Sequence, residues 1–107
     1  MRVYRKLVRD RIPEIINAEG NTPIIRILCD DEYSKELNKK LNEEVQEFLA
    51  DGSVEELADI YEVLLAILES KHIPYGQFEE VRNKKALERG GFSQKFFLEA
   101  VKTEKRK

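Results

Sequence analysis

Four carboxylates set the chemical possibilities of this chain. Glu44 and Glu47 stand three apart in KKLNEEVQEFLAD, and Glu56 and Asp59 stand three apart in SVEELADIYEV. Residues of an α-helix advance about 100° each, so positions three and four apart share a face. Each pair therefore projects from one side of a helix. Asp51-Gly52-Ser53 between them is a turn signal, and a connection that short makes the two helices antiparallel neighbours. Two facing carboxylate pairs form a cage of hard oxygen ligands, which suits Mg2+, with Mn2+ able to substitute.

The helices that must position these groups can be read from the apolar pattern. Leu37, Leu41, Val45 and Phe48 form a stripe on the first, with Leu49 on one flank and Glu44 inside the other margin. Glu47 and Lys40 fall just beyond it, and Glu43 points away. On the second, Leu57, Ile60, Tyr61, Val63, Leu64, Leu65, Ile67 and Leu68 cover more than half the circumference, so this helix is nearly surrounded by protein. Glu56 falls inside that arc beside Val63, and Asp59 lies at its edge. Glu55, Glu62 and Glu69 take the polar side. Unpaired buried carboxylates are costly, and like charges raise one another's pKa. A plainer role exists for Glu56, because Ser53-x-x-Glu56 is a capping box. A cap does not explain why both helices carry a pair.

The pattern EExxE followed by ExxD resembles the all-α nucleoside triphosphate pyrophosphohydrolases, the MazG and phosphoribosyl-ATP pyrophosphohydrolase-like superfamily. The resemblance implies magnesium at Glu44, Glu47, Glu56 and Asp59, with Glu44 or Glu47 orienting the attacking water. Only eight residues separate Glu47 from Glu56, fewer than in the longer-spaced members. The likeness is closest to a short-spaced branch with an N-terminal KLVRD-IPEII segment, and it covers nearly the whole chain. It makes Lys6, Arg9 and Asp10 of that segment substrate-binding candidates, with Lys40 beside the acidic pair. A Lys followed by RGGF-like residues is also typical of the family, and here Lys85 precedes Arg89-Gly90-Gly91-Phe92. With Arg82, Lys85 and Arg89 complete the basic set. Solvated basic surfaces are the alternative at both places. Gly90-Gly91 allows either a tight turn or close approach to a ligand.

The totals bound the rest. The chain has 107 residues, 37% charged and 41% hydrophobic, with net charge −2. That length suits one domain over 1–107 with a modest core. The charge argues against a nucleic-acid polymer as partner, and no apolar run approaches a membrane span. One cysteine makes no internal disulfide, which agrees with a cytoplasmic location. Asp10 is expected to cap a short helix containing Pro13 and ended by Gly20, with Ile12, Ile15 and Ile16 as its core face. Thr22–Cys29 reads as a strand, with Cys29 a buried small hydrophobe and Asp30 capping the helix that follows. Phe92–Val101 is its expected partner, although its second half also fits a helix. The segment from Lys102 to Lys107 is expected to fray. His72, the sole histidine, reads as a loop residue after the second core helix.

The expected fold is mainly α: a helical bundle closed by a small two-stranded ribbon. Its second core helix is too apolar for a lone bundle, which implies a homodimer or homotetramer. The expected activity is magnesium-dependent hydrolysis of a nucleoside triphosphate or related nucleotide to a monophosphate and pyrophosphate. Phosphoribosyl-ATP stays open as the substrate. A non-catalytic nucleotide- or metal-binding regulator and a helical interaction module remain the alternatives outside the enzyme class.

Overall fold

The computed structural model describes residues 1–103, and they contain four helices: α1 Ile12–Ala18, α2 Asp30–Asp51, α3 Val54–Ser70 and α4 Tyr75–Arg89. The fold is mainly α, as the periodicity predicts. The chain divides into one unit from Met1 to Tyr75 and a second from Gly76 onward.

In the first unit α2 and α3 form an antiparallel hairpin. Asp30 and Tyr33 at the start of α2 line one cavity with Glu69 and Ser70 at the end of α3. The turn between the helices has a clear physical cause. Gly52 adopts φ 72°, ψ 14°, the left-handed conformation that a side chain disfavours, and its N–H donates to the Phe48 carbonyl at 2.7 Å. Ser53 is extended, and its hydroxyl accepts from the Glu56 N–H at 3.3 Å.

The hairpin seam holds the buried core. Leu37 is 3% exposed and Val63 is 8% exposed, and they are the buried hydrophobic residues among those described. Glu44 follows Leu37 by seven positions on α2, and Glu56 precedes Val63 by seven on α3. Seven residues are about two turns, so each carboxylate lies on the same stripe as a core residue. Carboxylates thus occupy positions that the packing pattern reserves for aliphatic side chains.

Several local expectations need correcting. Neither Thr22–Cys29 nor Phe92–Val101 forms a strand, and no strand occurs among the described residues. A strand is stable only within a ladder. Ile24, Ile25 and Ile27 are instead exposed. In the second segment Lys95 takes φ 60°, and its N–H donates to the Phe92 carbonyl, which makes a turn. Cys29 is exposed, because no ladder covers it; its Sγ lies 3.4 Å from Glu32, which also pairs with Arg26 at 2.9 Å. Asp10 does not cap α1. The cap position falls on Arg11 without a side-chain cap bond, while Pro13 sits in the first turn as expected. Asp30 is the first residue of α2 rather than its cap, and it joins Asp31 and Glu32 where the helix dipole favours anions.

Gly20 ends α1 region with φ 85°, and α3 stops at Ser70, leaving His72 exposed in the loop. In the second unit Gly90, at φ 80°, ends α4, and its N–H donates to the Ala86 carbonyl at 2.8 Å. The part of the expected frayed tail from Glu104 onward lies outside the described residues. No helix is long and apolar enough to cross a membrane.

Candidate metal centre

Three of the four carboxylates meet across the hairpin seam. Glu44, Glu56 and Asp59 each offer an oxygen, and these oxygens lie within 4.8 Å of one another. Glu44 is 6% exposed, and Glu56 and Asp59 are half-buried. Glu47 is exposed and stands outside that triangle, yet its charge reaches both Glu44 and Glu56.

The capping alternative for Glu56 separates into two halves. Ser53 does cap α3, but it uses the backbone N–H of Glu56. The Glu56 carboxylate turns to the seam, and its Oε2 is buried without a hydrogen-bond partner. Glu44 Oε2 is in the same condition. A buried carboxylate oxygen left without a partner is unfavourable. A hard divalent cation is the partner whose chemistry fits such a donor set.

Electrostatics agree with the geometry. Burial raises the Glu44 pKa above its ordinary value, opposed by the Lys40 ammonium and reinforced by Glu47. Burial also raises Glu56, and the charges of Glu47, Asp59 and Glu44 add to it. A folded carboxyl with a raised pKa holds its proton at a pH where the unfolded chain has released it. Its favourable contribution is therefore complete below the unfolded value of 4.5 and is lost as pH rises through the folded value. In metal-free protein, the stability of Glu44→Gln relative to wild type should rise between about pH 4 and about pH 7. Urea melts at the two pH values check this, and a constant difference would contradict it. Magnesium or manganese at about 100 times its dissociation constant should add about 2.7 kcal/mol. For a domain of this size, that raises the melting temperature by on the order of 10 °C. Matched ionic strength should not do so; an unchanged midpoint together with no saturable binding by calorimetry would remove the site.

Two cations border the triangle. Lys40 Nζ lies 3.3 Å from Glu44 Oε1 and 3.5 Å from Glu43. Arg9 reaches from the N-terminal segment to Asp59 Oδ1 at 2.6 Å. Of the other expected basic residues, Lys6 lines a groove against α2. Asp10 is exposed and contributes, after burial and Glu69, to raising the Tyr33 phenol. Arg82, Lys85 and Arg89 lie on α4, where Arg82 pairs with Glu79 at 3.0 Å. Sequence reasoning missed the Arg9–Asp59 bond and the groove residues Arg5 and Lys39. The Lys39-Lys40 doublet one turn before Glu44 was the available signal for Lys39, and the basic run Arg5, Lys6, Arg9 and Arg11 was the signal for Arg5.

No family model matches the chain, and no solved structure matches it. A protein of Mycolicibacterium smegmatis, described only as uncharacterized, is 62% identical over 45 residues. The matched stretch is 42% of this chain and 46% of that protein, so the chain spans less than half the length of this relative.

Proposed function

We propose that the protein is a magnesium-dependent nucleotide pyrophosphohydrolase of the MazG-like type, cleaving a nucleoside triphosphate or related nucleotide to a monophosphate and pyrophosphate. The observation that carries this reading is the buried carboxylate triangle with its two unpartnered oxygens. Exposed acidic clusters are common without a cation, but a carboxylate that is 6% exposed within a core seam is not a solvated flank.

Glu44, Glu56 and Asp59 hold the ion, with Glu47 completing the set from the rim. Magnesium there supplies charge neutralisation at the phosphates and a polarised water. Glu47 orients the attacking water and takes its proton, while buried Glu44 stays fixed by Lys40. The water oxygen bonds to the α-phosphorus, and the bond from that phosphorus to the bridging oxygen breaks. Its electron pair leaves on pyrophosphate. Lys6, Arg9 and Lys40 meet the phosphates, and Arg82, Lys85 and Arg89 are a second basic set. The protein works in the cytoplasm as a homodimer or homotetramer. Val54, Leu57 and Tyr61, successive on one face of α3 and exposed, supply an apolar surface for that assembly.

Phosphorus NMR of a panel of nucleoside triphosphates with magnesium tests the reading. Pyrophosphate and monophosphate should appear together in equal amounts. Early orthophosphate with a nucleoside diphosphate would identify a different phosphohydrolase and overturn it.

A further inference from the structure

The N-terminal segment and α2 enclose a groove of about 210 Å³ beside the carboxylate triangle. Its polar lining is Arg5, Lys6, Lys39 and Lys40 against Glu36 and Glu43. Four cations against two carboxylates leave it positive in a chain of net charge −2. The two carboxylates are also already engaged: Glu36 by Lys39 at 3.0 Å and Glu43 by Lys40 at 3.5 Å. Arg5 and Lys6 have no ion-pair partner among the described residues.

One further feature sets this groove apart from an ordinary basic surface, beside the left-handed φ of 48° at Arg5, a conformation that His72 and Lys95 share. Lys40 has a side chain only 18% exposed, lines the groove, and touches Glu44 of the triangle at 3.3 Å. The groove and the triangle therefore share a wall. Sites that enclose a whole drug-sized ligand measure about 300–1,000 Å³, so the groove suits a phosphate tail and not a complete nucleotide.

We infer that this groove binds the pyrophosphate end of the substrate, so that the anhydride runs from the triangle toward Arg5 and Lys6. The inference rests on the pyrophosphohydrolase reading and gives the substrate a direction. When the bond to the α-phosphorus breaks, its electron pair stays on the leaving pyrophosphate. Arg5, Lys6, Lys39 and Lys40 face the charge that develops there, which is where fixed cations stabilise most. Arg5 and Lys39 are thereby assigned as substrate-binding residues.

Calorimetric titration of inorganic pyrophosphate into the full chain, with EDTA and no magnesium, tests the groove apart from the metal centre. Saturable binding is expected. Arg5→Gln and Lys39→Gln should each weaken it by about tenfold, the effect of losing about 1.4 kcal/mol, while Arg5→Lys retains most of the affinity. Lys71→Gln, an exposed cation just after α3, should leave it intact. Absence of binding, or an equal loss in Lys71→Gln, overturns the inference. Turnover is scored separately: intact pyrophosphate binding without hydrolysis removes the enzymatic assignment alone, and hydrolysis with undiminished binding in Arg5→Gln removes the groove alone.

Discussion

Glu44→Gln and Asp59→Asn should each lower turnover by at least about 100-fold, while Glu43→Gln and Glu62→Gln keep it within a few-fold. All four changes preserve side-chain size and remove one charge, so the contrast isolates position. Glu44 and Asp59 belong to the triangle. Glu43 neighbours Glu44 in sequence yet stands outside the triangle and pairs with Lys40, and Glu62, one turn after Asp59, is exposed and also outside the triangle. The same variants should divide differently in stability. Neutralising Glu44 relieves repulsion in a buried cluster, so its metal-free form should be as stable as wild type or more so. Steady-state kinetics and urea melts on the four proteins read both effects. Equal loss in Glu43→Gln and Glu44→Gln would mean a different register for α2, and full activity in all four would make the carboxylates structural.

Leu37→Ala should cost about 2–5 kcal/mol, a large share of the about 5–15 kcal/mol that a domain has. Leu37 is 3% exposed and anchors the α2 side of the seam, where Val63 is its counterpart on α3. With so few aliphatics buried, the site cannot collapse onto neighbours that are themselves half-exposed, and a cavity remains. Leu49→Ala on the same helix is the comparison: Leu49 is 69% exposed, and its loss should change stability by less than about 0.5 kcal/mol. Urea denaturation compares them, and equal midpoints would show that the seam is not the core. The change should also loosen the triangle, because Leu37 and Glu44 share a stripe.

The helices and the acidic pairs were legible because both depend on local periodicity. An i, i+3 spacing fixes a helix face whatever the tertiary context, so Glu44 inside the α2 stripe and Glu56 inside the α3 arc could be read directly. Gly52 and Ser53 were legible for the same reason: one takes a left-handed turn and the other caps. Thr22–Cys29 misled because branched apolar residues favour strands only where a ladder exists, and nothing local declares its absence. Cys29 followed that error. The caps at Asp10 and Asp30 were each misplaced by one residue: Asp10 precedes the Arg11 cap, and Asp30 falls in the first turn, which acidic side chains suit as well as the cap. Arg9 against Asp59 was invisible, since no periodicity relates residues 50 positions apart.

That separation has a thermodynamic consequence. Closing a flexible loop costs entropy that grows with the logarithm of its length, about 0.6 kcal/mol per doubling. The triangle closes only the short stretch from Glu44 to Asp59, within one hairpin. The Arg9–Asp59 bond closes a loop about three times longer, an added cost of about 1 kcal/mol. With both partners substantially exposed, such an ion pair returns about 0–1 kcal/mol. The bond thus barely offsets its own closure, whereas the hairpin is held by its core. The N-terminal segment is consequently the first part of this unit to come away, and its basic residues can leave the carboxylates and return to them without any turn of α2 or α3 unfolding.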